Sequence, residues 1–257
     1  MAFSKAEIFI QKKSFEYYLS PILSQNNFKH AYFTKSSSEK FLQLLGNHFN
    51  KNSVNCVSNQ IHSKIISFGS YSQEGSKTDA DGLVSNKNNQ NLWVYTADCM
   101  PIFFADRRTR FVAALHCGRK GLEKKIIKNL IMILENLGTS KDDLLVAIGP
   151  SISKEHYLVD KKTHKEFCRE AENKKITANN TRAKEDIFFN KTNHLKEQKL
   201  EQIDLRRCAY RQLLNEQIPN SNIEISNLCT YELKNEFNSW RRNKTISRQW
   251  NFICSSR

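Results

Sequence analysis

Two residues capable of metal and proton chemistry bracket a pair of apolar runs in TADCMPIFFADRRTRFVAALHCGRKG, residues 96–121: Cys99 precedes the first run and His116 ends the second. A thiolate and an imidazole that meet can share a metal ion or a proton. Their spacing offers a way to meet. Asp106, Arg107, Arg108 and Thr109 are polar residues of the kind that reverse a chain. A turn symmetric about Arg107 and Arg108 pairs Ala105 with Arg110, Phe103 with Val112, and Cys99 with His116. Directly opposed residues of antiparallel strands point to one face with Cβ atoms about 4.5–5.5 Å apart. A loop longer or shorter by one residue shifts the register by one and turns one side chain away.

A third donor lies upstream in SNQIHSKII, where His62 sits among Ile61, Ile65 and Ile66. Alone it reads as a partly buried histidine of an apolar run. With Cys99 and His116 it completes two imidazoles and one thiolate, a set zinc accepts while leaving a fourth tetrahedral position for water or substrate. Directly after His116 comes CGRKG, a turn whose glycines let the backbone approach a ligand and which opens onto a helix. Helix N-terminal amides together with Arg119 and Lys120 suit a phosphate-sized anion.

The elements that must hold these residues are clearest in the middle of the chain. NLWVYTA, PIFFA and FVAALH read as buried strands, short and rich in β-branched and aromatic residues. GLEKKIIKNLIMILENLG predicts one amphipathic helix, with Leu122, Ile126, Leu130, Ile133, Leu134 and Leu137 on one face and Gly138 as its stop. LLVAIGPSI reads as a further buried strand, LEQIDLRRCAYRQLLNEQI as a second amphipathic segment, and NIEISNLC as a strand by alternation. Residues 161–200 are polar, with Phe167, Ile187, Phe188 and Phe189 as anchors, and predict a surface helix followed by an irregular excursion. Strands mixed with amphipathic helices indicate a layered α/β or α+β domain.

The chain has 257 residues, 39% hydrophobic and 11% aromatic, ordinary for a globular enzyme of one domain spanning 1–257. No apolar run approaches the roughly 20 residues of a transmembrane helix, so a cytoplasmic protein with no membrane partner is expected. Seven cysteines, an odd number without a C-x-x-C pair, suit reduced thiols, most of them buried as small apolar groups. The net charge of +14 raises nucleic acid as a partner. Its even spread, without a basic tail or an RNA-binding aromatic motif, argues instead for a solvated basic surface compatible with anionic small substrates.

The elements TADCMPIFFAD, ALHCGRKG, AIGPSI and NQIH, with HAYFTK, TDADGLVSN and CTYELKNEFNSWRRNKTISRQWNFI, resemble segments of the YfiH-like family over most of the chain. That family is also called the laccase-domain, multicopper polyphenol oxidoreductase or purine nucleoside phosphorylase family. The resemblance implies an α/β fold, a layered α/β/β/α sandwich with mixed sheets. It implies zinc held by His62, Cys99 and His116, which are then also the catalytic residues. Gln60, Arg119, Lys120, Arg241 and Arg242 are expected to contact substrate. Arg119 and Lys120 stand where the family usually has tryptophan and arginine, and Arg248 also matches a basic position. The implied activity is phosphorolysis of adenosine, inosine, guanosine or methylthioadenosine to base and sugar 1-phosphate by a monomer, with adenosine deamination as a second reaction of some members.

Other chemistries compete. Copper oxidation of phenols would draw on Met100 as a weak ligand, although neighbours on a strand point to opposite faces. Cys99 as a nucleophile with His116 as its base would give an amide hydrolase, for instance one editing cell-wall precursors. A non-enzymatic reading makes Trp240, Arg241 and Arg242 an RNA-stacking patch.

Overall fold

The computed structural model describes residues 2–72, 77–85, 87–171 and 200–255. The chain begins with β1 (Ser4–Ile10), β2 (Lys13–Leu19), α1 (Pro21–Gln25), β3 (His30–Phe33), α2 (Leu42–Phe49), β4 (Val54–Val57) and β5 (Ile66–Phe68). It continues through β6 (Gly82–Ser85), β7 (Gln90–Thr96), β8 (Met100–Asp106), β9 (Val112–Cys117), α3 (Arg119–Glu123), α4 (Ile126–Asn136) and β10 (Leu144–Ile148). The remainder is β11 (Leu158–Asp160), α5 (Lys161–Ala171), β12 (Leu200–Gln202), α6 (Leu205–Asn215), β13 (Ile223–Ile225), α7 (Trp240–Asn243) and β14 (Gln249–Ser255).

Two six-stranded mixed sheets form the centre, one in the order β1-β2-β3-β14-β7-β4 and the other β13-β10-β8-β9-β6-β5. Alternation along the strands divides their side chains among three apolar layers. Leu83, Leu92, Val94, Phe103, Val112, Ala114 and Ile253 pack between the sheets. Ile102, Phe104, Ala113 and Leu115, on the opposite face of the second sheet, pack against Leu122, Ile126, Leu130, Phe167 and Leu213 of the helices. Phe33, Trp93, Trp250 and Phe252 pack against Leu42 and Leu45 of α2 on the outer face of the first sheet. The result is the layered α/β/β/α arrangement. Among the described residues, no helix is long and apolar enough to cross a membrane.

The central strands lie where their composition predicts, but the hairpin register differs. Ala105 pairs with Val112, Pro101 with His116 and Met100 with Cys117. The turn spans four residues rather than two: the Asp106 amide donates to the Phe111 carbonyl at 2.9 Å, and Arg110 closes the loop at φ 63°. Asp106 Oδ1 accepts from the Arg108 and Thr109 amides, which stabilises this wider reversal. The register therefore moves by two, side-chain parity is kept, and Cys99 sits diagonally from His116 on one face rather than opposite it.

The single helix expected over 121–138 is two helices. Lys125 takes φ 60° between α3 and α4. A continuous helix would turn Ile131 well away from the apolar stripe through Leu122 and Leu130; the break rotates the second segment so that Ile126, Ile127, Leu130, Ile131 and Leu134 are all buried. Gly138 ends it at φ 91° as expected. The predicted surface helix is present as α5 with Phe167 fully buried, while Ile187, Phe188 and Phe189 lie outside the described residues.

Candidate metal centre and cationic cleft

Both segments that deliver the outer two donors are crossings between sheets. The chain leaves β4 in the first sheet and reaches β5 in the second through residues 58–65, which carry His62. It leaves β7 in the first sheet and enters β8 in the second through residues 97–99, which carry Cys99. His116 closes the triangle from the end of β9. The three ligand atoms lie within 4.8 Å of one another, and the two imidazole rings are 4.8 Å apart at 80°. Gly118 is what leaves room: a Cβ there would lie 2.5 Å from Cys99 Sγ and 3.9 Å from His62 Cδ2.

Asp81, fully buried, organises the cluster from behind. Its Oδ1 accepts from His116 Nδ1 at 2.8 Å and from the His62 amide at 3.0 Å. Its Oδ2 accepts from the Ser63 amide at 2.6 Å, Ser63 Oγ at 2.7 Å and the Ile61 amide at 3.2 Å. A carboxylate only accepts, so the His116 proton sits on Nδ1 and Nε2 faces the other two donors. The same bonds hold His62 at φ 56°, a backbone conformation costly for a residue with a side chain. Lys124 Nζ, at the helix break, caps the His62 carbonyl at 2.8 Å.

Charge follows this geometry. Burial alone would raise Asp81, but the hydrogen bonds from His116 and Ser63 outweigh it and hold the carboxyl at about 2. Burial likewise opposes ionisation of both Cys99 and His116. The His116 charge and bonds from both histidines nevertheless draw the thiol down to about 6, and the Cys99 charge with Asp81 draws His116 up to about 9. A thiolate and two converging imidazoles fit a divalent ion of the zinc class with one position left open. Met100 does not join them, being fully buried in the core against the helices.

The cluster opens into a cleft of about 520 Å³ lined by Gln60, Tyr95, Asp98, Arg119, Lys120, Tyr157, Trp240, Arg241 and Arg248 among others. Gln60 is fixed by a two-way pairing with the Tyr95 backbone, at 2.7 and 2.9 Å. Lys120 stands exposed on the rim, whereas the Arg119 guanidinium is partly engaged by Glu123 four residues on. The helix opening at this turn is only five residues long, so side chains rather than a helix terminus supply the positive charge. Arg241 lies over the Tyr157 ring at 4.8 Å. Arg242 is turned away: its guanidinium donates to the carbonyls of Thr230, Tyr231 and Phe237, so it braces the wall and does not line the cleft.

Two acidic residues went unread in the sequence. Asp81 and Asp98 each sit beside a buried strand, an unusual place for a carboxylate and the one signal that singles them out. Asp98, at φ 92°, accepts from Thr230 Oγ1 at 2.8 Å and from the Arg241 amide at 2.6 Å, tying α7 and its arginine to the residue before Cys99.

A family model described as multi-copper polyphenol oxidoreductase laccase matches residues 34–256. A purine nucleoside phosphorylase of Synechocystis sp. is 30% identical over 184 residues, 68% of this chain and 68% of that protein. One of Bacteroides thetaiotaomicron is 28% identical over 164 residues, 63% of this chain but only 55% of the relative. Among solved structures, the hypothetical protein YfiH of Bacillus licheniformis aligns with a TM-score of 0.73 over 93% of this chain and 96% of that one, at 21% identity, a likeness of fold alone.

Proposed function

This chain belongs to the multi-copper polyphenol oxidoreductase laccase family, the YfiH-like proteins, and from that premise we propose that it is a zinc-dependent purine nucleoside phosphorylase. The observation that carries the reading is a His62–Cys99–His116 donor set within the same cleft as Arg119, Lys120, Arg241 and Arg248. Bound zinc supplies Lewis-acid polarisation of an oxygen ligand and lowers the pKa of water towards about 7. The four cations hold phosphate and offset its charge as one of its oxygens bonds to the anomeric carbon of the sugar. The glycosidic C–N bond breaks, the base leaves with the electron pair, and it takes up a proton. Asp81 keeps His116 in the tautomer that turns Nε2 inward, and Gln60 fixes the cleft wall through the Tyr95 backbone. Adenosine, inosine, guanosine and methylthioadenosine are the substrates of this reading, and adenosine deamination is a second reaction for the same centre.

Chromatography of products from inosine and adenosine, with and without phosphate, tests it. Free base that requires phosphate, and is abolished in Cys99→Ala, supports phosphorolysis; base released at equal rate without phosphate refutes it. The low Cys99 pKa favours one second reading, an amide hydrolase using a metal-free thiolate with His116 as its acid–base partner. Activity that survives complete metal removal would favour that reading over the first.

A further inference from the structure

Next to Tyr157 of the cleft, a second group of donors converges that the proposed reaction does not use. His156, Cys229 and Glu232 offer ligand atoms all within 4.8 Å of one another. They come from two segments locked together by backbone: Ser151 and Cys229 form a β-bridge, and the Thr230 amide donates to the Ser151 carbonyl at 3.1 Å. Each donor is oriented. The His156 ring stacks on Tyr231 at 4.4 Å and 19°, and its Nε2 lies 2.9 Å from Glu232 Oε1. Cys229 is buried to 2% exposure, and its Sγ accepts the Ser153 amide at 3.3 Å, which fixes the sulfur's position. Arg206 is a fixed positive charge near these groups, its guanidinium committed to Ser151 and Leu228.

We propose that His156, Cys229 and Glu232 form a second metal site that takes a zinc-class divalent ion, with water in the fourth position. One thiolate, one imidazole and one carboxylate are the borderline mixture such an ion selects. Metal bonds of roughly 2.0–2.3 Å place tetrahedral donors about 3.5 Å apart, so from separations of up to 4.8 Å the three must close by as much as about 1.3 Å. Glu232, on the exposed side, is the residue able to move. The Cys229 thiol proton and the proton between His156 Nε2 and Glu232 are released to solvent as the ion enters. The site is a brace for the catalytic wall, because the neighbours of its ligands serve the cleft: Tyr157 lines it, and Thr230 holds Asp98.

The test is metal content of the full chain after equilibration with zinc and removal of loosely held ion by gel filtration. His156→Gln and Cys229→Ser should each retain one equivalent fewer than wild type, and Glu232→Gln should bind that equivalent about tenfold more weakly. The difference from wild type is read directly, so the outcome does not depend on whether the His62–Cys99–His116 centre holds metal. Because Cys229 is buried and its variant could misfold, His156→Gln serves as the surface counterpart. A second measurement uses cobalt: Cys99→Ser should keep a thiolate-to-cobalt charge-transfer band that disappears in Cys99→Ser/Cys229→Ser. Equal zinc content in wild type, His156→Gln and Cys229→Ser, or no thiolate band in Cys99→Ser, overturns the proposal.

Discussion

Replacing Asp81 with asparagine changes one atom, and the geometry fixes what that atom must do. Both carboxylate oxygens are saturated with donors: His116 Nδ1 and the His62 amide on one, the Ser63 amide, Ser63 Oγ and the Ile61 amide on the other. Asparagine keeps one oxygen and sets an NH2 in place of the other, so in either orientation at least two donors face a donor. With the NH2 towards His116, the ring must move its proton to Nε2, the nitrogen through which the proposed metal would bind, and the His62 amide is left unpaired. With the NH2 towards Ser63, the loop that presents His62 loses its anchor. Each buried donor left without an acceptor costs about 1–3 kcal/mol, so with two such donors the metal-free protein should lose about 2–6 kcal/mol of stability. Loss of the carboxylate behind a ligating histidine typically weakens metal binding tenfold to a hundredfold, or about 1.4–2.7 kcal/mol. Denaturant unfolding of the stripped protein and competition with a chromophoric zinc chelator give the two numbers. Stability unchanged and zinc affinity within twofold of wild type would refute the role assigned to Asp81.

Three further outcomes follow from particular contacts. Gly118→Ala sets a methyl 2.5 Å from Cys99 Sγ, with the Gly118 backbone at an unstrained φ of −97°, so zinc affinity should fall more than tenfold while unfolding free energy drops by only about 1–3 kcal/mol; retained affinity would show that the thiol has room to move. His30 is buried and neutral, its Nε2 accepting the Ser20 amide and its Nδ1–H donating to the Phe28 carbonyl, and burial pulls it from the ordinary 6.5 down to about 4. Because the folded value is the lower one, its contribution is intact above pH 6.5 and is lost as pH falls towards 4, about 3 kcal/mol in all; His30→Gln should flatten that part of the stability–pH curve, and an unchanged slope would count against it. Arg242→Ala leaves the carbonyls of Thr230, Tyr231 and Phe237 without their donor and should lower the melting temperature without raising the phosphate concentration needed, whereas Arg241→Ala and Lys120→Ala should raise it; phosphate saturation curves that shift for Arg242→Ala would return that residue to the cleft.

What was legible in the sequence was chemistry carried by residue type and local pattern. The apolar runs of β7, β8 and β9 announce themselves, and parity along β8 and β9 is robust enough that a register error of two left Cys99 and His116 on one face. Loop length was not legible, because it hangs on Arg110 adopting a left-handed conformation that nothing in its own side chain demands. Lys125 breaks a helix for the same kind of reason: burial of Ile127 and Ile131 is decided by the sheet beneath, not by local propensity. Asp81 and Arg242 are the sharpest cases. A carboxylate that collects three amides and a histidine, and an arginine that collects three carbonyls, look in sequence like any acidic or basic residue, because their partners are 18 or more residues away or belong to backbone.

The position of β14 has a bearing on how the chain is made. In the first sheet, β14 alone joins the β1-β2-β3 group to β7 and β4, pairing with Ala31 and Tyr32 on one side and with the whole of β7 on the other. Residues 90–96 emerge from the ribosome long before residues 249–255, and at roughly 5–20 residues per second the interval is about ten to thirty seconds. Throughout it, the strand NLWVYT presents an unpaired apolar edge, the surface on which nascent chains stick to one another. Yield in the cell should therefore depend on how that edge is shielded during synthesis. Substitutions within 249–255 should depress the amount of folded protein far more than equally buried substitutions in β9, whose partners β6 and β8 are already made or follow within a few residues.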